Sequence, residues 1–166
     1  MYPVVCSWLH GFLHSRHRSA NVQVFDSSQK PLCRLIQEQN FMHHLPPEWP
    51  SWNIQVDVVG FVVLPHSTDI AFVECKNTAI TLDHLSQLLG YSRIARPLFS
   101  FLVAPQGASD SLRSLLLTFN RIDVLEYHWE PGTLSRSVVI ARWDESANTI
   151  DRNTLMTGDQ NYMGLL

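Results

Sequence analysis

Two short apolar runs in the middle of the chain carry charges where a strand would bury them. Ile54 to Leu64 is rich in β-branched residues, is followed by the polar connection Pro65-His66-Ser67-Thr68-Asp69, and resumes as Ile70 to Cys75. This composition and a connection of hairpin length predict two antiparallel strands. The first holds Val56-Asp57-Val58-Val59-Gly60, a carboxylate among valines, and the second runs into Phe72-Val73-Glu74-Cys75-Lys76-Asn77. Lone charges in such surroundings are costly, so the pattern demands partners. Side chains alternate along a strand, which puts Glu74 and Lys76 on one face. Antiparallel pairing then lets Asp57 approach them from the neighbouring strand.

Two carboxylates and one ammonium at one place form a site for chemistry. Carboxylates a few Å apart repel unless a cation lies between them, and oxygen-only ligation open to solvent suits Mg²⁺, with Mn²⁺ as a substitute. Such a cation stabilises the transition state of phosphodiester hydrolysis while the lysine holds or activates the attacking water. The competing reading is a Glu74–Lys76 ion pair at a strand end with Asp57 as an unrelated edge charge. Charges inside apolar strands are rare without a partner, which favours the first reading.

Elsewhere the periodicity is mostly helical. Val5, Trp8, Leu9, Phe12 and Leu13 share one face of a helix over 3–15. Asn21 to Phe25 reads as a short strand, and Leu32, Leu35, Ile36 and Met42 mark a helix spanning Lys30 to His43, ending before Pro46-Pro47. A Thr81 or Asp83 start opens a helix through Ile94, with Leu82, Leu85 and Leu89 on one side. Leu98 to Val103 is a strand covered on both faces. Ser109 caps a helix to about Phe119 with Leu112, Leu115 and Leu116 inward, and Val124–Tyr127 and Ser137–Trp143 are strands joined through Pro131-Gly132. This order predicts an α/β fold, a mixed β-sheet flanked by helices. Residues 1–144 read as one domain and residues 145–166 as a polar C-terminal tail packed on it or partly flexible.

Composition narrows the class. The chain has 166 residues, 45% of them hydrophobic and 16% charged, which is enough to bury a core and too apolar for a disordered chain. A formal net charge of −3 lacks the global positive excess of a nucleic-acid binder, so any such grip must be local. Cys6, Cys33 and Cys75 leave one thiol over in any disulfide scheme and form no C-x-x-C pair, which fits a reduced, cytoplasmic setting. No apolar stretch reaches bilayer length, and the N-terminal residues do not read as a signal peptide.

Asp57, sixteen residues, then Glu74-Cys75-Lys76 resembles the bipartite motif of the PD-(D/E)xK nuclease superfamily. Gln87-Leu88-Leu89-Gly90-Tyr91 is similar to the Q-x-x-x-Y element of its RecB-like branch, and Gln87 and Tyr91 stand at i and i+4 on one helical face. Val56 stands where the motif has its proline. The resemblance implies a restriction-endonuclease-like sandwich and a Mg²⁺-dependent nuclease, endonuclease chemistry included, that hydrolyses DNA. In it Asp57, Glu74 and the Cys75 backbone carbonyl would ligate the metal, with Glu38 a candidate extra acid from an early helix. Lys76 would position the hydrolytic water, Gln87 would steady the metal-site waters or Lys76, and Tyr91 would lie near the scissile phosphate. Its alternative is a catalytically silent nuclease-fold domain that binds nucleic acid or a protein partner.

Other motifs have plainer expectations. His10, His14 and His17 share a helix face that invites a zinc reading, but a solvated surface is the simpler one. Cys75 should face away from the site into the core. Trp49 and Trp52 read as a packing cluster sooner than a base-stacking platform. Arg93 and Arg96 directly follow Tyr91 and are the candidates for phosphate contacts. Trp129, Trp143 and the Val138–Ile140 strand offer an apolar interface for a homodimer; a larger DNA-processing or defence complex is the other expected assembly, with no membrane involved.

Overall fold

The N-terminal helix packs on a sheet because its apolar residues recur three and four apart. In the computed structural model, which describes residues 2–129 and 135–158, Tyr2–Arg16 forms helix α1 with Val5, Leu9, Phe12 and Leu13 buried. It is followed by β1 (Asn21–Asp26), α2 (Leu32–Glu38), a 3₁₀ turn (Trp49–Ser51), β2 (Val58–Val63) and β3 (Thr68–Cys75). Next come α3 (Leu82–Ala95), β4 (Phe99–Ala104), α4 (Asp110–Arg113), β5 (Glu126–His128), β6 (Arg136–Ser137), β7 (Val139–Asp144) and β8 (Thr149–Met156). Six strands make a mixed sheet in the order β1-β2-β3-β4-β7-β8, and β5 and β6 pair separately. The protein is thus α/β with a mixed sheet and flanking helices. Two compact units divide it, Met1–Val73 and Glu74–Leu166.

In the first unit α1 lies on β1 and β2. Gly60, in the middle of β2, leaves room for α1: a Cβ there would stand 2.6 Å from Leu13 Cδ1 and 3.2 Å from Leu9 Cδ2. Phe61, the next residue and so on the other face, stacks on Phe41 at 4.3 Å with Phe25 alongside at 6.0 Å. The β2–β3 hairpin has the expected form, with Val63 opposite Thr68 and a turn closed by Leu64 N–H donating to the Ser67 carbonyl.

Two expectations for this unit are corrected. The second helix ends at Glu38, five residues short of His43, because Asn40 takes a left-handed φ of 58°. The Asn40 N–H then donates to Gln37 O and the Phe41 N–H to Ile36 O, the two bonds of a Schellman stop. The strand expected from Ile54 begins only at Val58, so Asp57 stands in the bend before β2. Residues 52–57 are bonded elsewhere. Ile54 O and Trp52 O accept the N–H groups of Leu32 and Cys33, serving as the cap that Pro31 cannot provide for α2. Val56 O accepts from the Ser27 hydroxyl and Asp57 O from the Ser27 N–H.

In the second unit α3 packs on β4 and β5, with the hydroxyls of Ser92 and Ser100 joined at 2.8 Å in the buried contact. The buried face of α3 is Leu85, Leu88, Leu89, Ser92 and Ala95, while Leu82, expected inward, is half exposed. Ser109 caps α4 as expected, but the helix passes after Arg113 into a π-helical turn, Ser114–Thr118, in which Phe119 N–H reaches back to Ser114 O. Leu112 and Leu116 are buried there and Leu115 only partly. The strand expected at Val124–Tyr127 starts later, at Glu126, after a 3₁₀ turn, and Pro131-Gly132 lies outside the described residues. The polar stretch after Asp144 supplies β8, antiparallel to β7, with Ile150 and Met156 buried. Trp143 and Val138–Ile140 are buried too, so of the residues proposed for a dimer surface Trp129 is the exposed one. No helix among the described residues is long and apolar enough to cross a membrane.

The two glycines Gly60 and Gly90 should respond oppositely to alanine. At Gly60 the added methyl meets buried Leu9 and Leu13, overpacking worth about 1–3 kcal/mol, more than the ~0.5–1 kcal/mol gained by removing glycine from a strand. At Gly90, on α3, nothing lies within 4 Å, so Gly90→Ala should add about 0.5–1 kcal/mol. Urea midpoints of the two variants should therefore move in opposite directions from wild type.

Candidate active site at the end of β3

Strand β3 is apolar from Ile70 to Val73, and Glu74, next in line, is only 4% exposed. The Lys76 ammonium sits 2.7 Å from Glu74 Oε1, with side-chain exposures of 19% and 5%. The alternation that places residues two apart on one face thus yields a short, shielded ion pair. The chain has only two lysines, Lys30 and Lys76. The backbone fixes Lys76 as well: its N–H donates to Val103 O on β4 at 2.8 Å. Cys75, between the two charges, is buried as core packing requires.

Helix α3 comes directly after and is started by a reciprocal cap. Thr81 Oγ1 accepts from the His84 N–H, and His84 Nδ1 accepts from the Thr81 N–H. An imidazole accepting at Nδ1 is neutral and carries its proton on Nε2. Burial, and then the nearby Lys76 ammonium, hold the His84 pKa below its ordinary value of 6.5. One turn further, Gln87 Nε2 donates to the Tyr91 hydroxyl at 3.1 Å, so the i, i+4 pair comes together on the outer side of the helix. Arg93 and Arg96 are exposed at its C-terminal end. Arg96 is the C-cap in left-handed conformation, φ 49°, and its carbonyl accepts from Arg136 Nη1.

Two expected acids lie in the first unit. Asp57 Oδ1 accepts from the hydroxyl of Tyr2, the first residue of α1, at 3.1 Å. Glu38 ends α2 on the surface with Lys30 at Oε2 and Arg34 at Oε1, so two cations already face it. The rings of His10 and His14 stack at 5.9 Å. Trp52 is buried, in keeping with packing. Three residues escaped the sequence: Tyr2, which holds Asp57; His84, which senses Lys76; and Arg136, which closes the end of α3. Only His84 left a trace, at the third position after a threonine cap. Tyr2 and Arg136 act on residues 55 and 40 positions away, respectively.

Among the described residues no group of three or more His, Cys, Asp and Glu side chains converges as a ready-made ligand set. The donors at the end of β3, one carboxylate and a backbone carbonyl, are of the hard oxygen type that Mg²⁺ uses, since that ion keeps several waters and needs only one or two carboxylates. Comparison with known proteins gives no match to a protein-family model, a curated protein or a solved structure.

The lowered His84 pKa has a definite sign. The folded state disfavours the imidazolium relative to the unfolded chain, so this contribution is fully present above pH 6.5 and is lost as pH falls through the lower folded value. Urea midpoints between pH 8 and 5 should decline on the acid side, and His84→Gln should flatten that decline.

Proposed function

We propose that this protein is a Mg²⁺-dependent nuclease of restriction-endonuclease-like fold that hydrolyses DNA phosphodiester bonds at the end of β3. The observation that carries the reading is the Glu74–Lys76 pair, a shielded carboxylate and ammonium 2.7 Å apart at the end of an apolar strand. Support comes from α3, which begins six residues after Lys76 and joins Gln87 and Tyr91 on its outer side. Glu74 and the Cys75 carbonyl would hold the cation, and Asp57 enters as the second carboxylate through the sequence pattern. When bound, the cation would neutralise charge developing on the phosphate. Lys76 orients the attacking water through its Nζ. Gln87 steadies that water or the ammonium, while Tyr91 donates its hydroxyl to the scissile phosphate. Arg93 and Arg96 grip the backbone on either side, the local positive charge that an acidic chain requires.

Glu74→Gln, Lys76→Met and Asp57→Ala should each reduce Mg²⁺- or Mn²⁺-dependent cleavage of a panel of linear, branched and single-stranded DNA by at least about a hundredfold, with folded circular dichroism spectra. Wild-type cleavage that persists in EDTA, or survives in all three variants, rejects the mechanism. Wild-type DNA binding without cleavage under any metal selects the silent nuclease-fold alternative.

Arg96 gives a separate test. A left-handed C-cap favours glycine, so Arg96→Gly should stabilise the fold by about 0.5–1 kcal/mol. It should also weaken DNA binding uniformly across sequences and lower the salt slope by about one. A stability gain with unchanged affinity removes Arg96 from the DNA contact.

A further inference from the structure

Resting on that reading, we propose that Lys76 and a divalent cation are alternative partners of Glu74, so that Lys76 leaves the carboxylate when the cation occupies it and becomes free for substrate. Glu74 is nearly buried at a strand end whose backbone is fixed, and its Oε1 is taken by the ammonium at 2.7 Å. A dication and an ammonium on one shielded carboxylate repel each other at the same short range at which each is attracted. Within the pair, the lysine is the side that can move: its four-carbon stem is flexible, while Glu74 is held in the strand and Lys76 N–H is tied to Val103 O. The Lys76 charge also acts on His84, in the first turn of α3, three residues before Gln87.

In the metal-free protein, therefore, the lysine serves as an internal counter-ion, and metal loading converts it into a group available to phosphate. Activity then requires the exchange, so the metal-free protein would hold DNA through its arginines alone. Lys76→Met removes the competitor and should tighten cation binding.

Having only two lysines makes the exchange directly measurable. Reductive methylation of the wild-type protein, followed by peptide mass spectrometry, reports the reactivity of Lys76, with Lys30, paired to Glu38, as the internal reference. Saturation with Mg²⁺ or Mn²⁺ should raise Lys76 labelling at least threefold and leave Lys30 unchanged. In Glu74→Gln, Lys76 should be reactive with or without metal. Calorimetry should show Mn²⁺ bound at least tenfold more tightly by Lys76→Met than by wild type. If Lys76→Met does not fold, the wild-type labelling decides by itself. Metal binding to wild type with unaltered Lys76 labelling overturns the exchange and leaves the nuclease reading standing. Absence of any Mg²⁺ or Mn²⁺ binding to wild type overturns both.

Discussion

A carboxylate in an apolar strand needs a counter-charge, and the surroundings of Glu74 reflect that need. Desolvating the anion costs several kcal/mol, and removing the partner of a buried pair typically costs about 3–5 kcal/mol, a large share of the ~5–15 kcal/mol that holds a domain together. Lys76 supplies the charge from two residues away, and the bond from its N–H to Val103 O keeps the end of β3 attached to β4 while the side chain reaches back. Burial first and this positive charge second lower the His84 pKa and so favour its neutral form, in which Nδ1 can accept the Thr81 N–H and complete the cap of α3.

The first unit solves a different problem, the close approach of a helix to a sheet. Gly60 gives Leu9 and Leu13 room on one side of β2, and Phe61 turns the next position over to an aromatic cluster with Phe25 and Phe41. Helix α2 has no side-chain cap, and its first N–H groups are satisfied by carbonyls of residues 52 and 54. That arrangement takes Ile54–Asp57 out of the strand without leaving their backbone groups idle.

What could be read from the sequence was what local chemistry decides. Apolar spacing gave α1, the threonine and serine caps located α3 and α4, and β-branched runs gave the β2–β3 hairpin. The i, i+2 placement of Glu74 and Lys76 and the i, i+4 placement of Gln87 and Tyr91 also come from backbone periodicity alone. Features set by distant partners were hidden. The start of β2 depends on where the carbonyls of residues 52–57 find donors, and strand β8 offers only Ile150 and Met156 to the core, its alternation broken by a register shift between Ile140 and Arg142. The stop of α2 was legible in principle, since asparagine is a common left-handed terminator, but the apolar Met42 beyond it imitated a further helical turn.

The parallel pairing of β4 with β7 has a kinetic side. Phe101–Ala104 meets Val139–Arg142 only after α4, the π-helical turn, β5 and β6 have been traversed, whereas the β2–β3 hairpin closes across four residues. Loop closure must be achieved before such a non-local ladder returns any stabilisation, so hairpins form in microseconds and crossover pairings set the slow step. The strand that carries Glu74 is thus paired locally through the β2–β3 hairpin, whereas the β4 backbone that holds Lys76 belongs to the strand closed by the non-local ladder with β7.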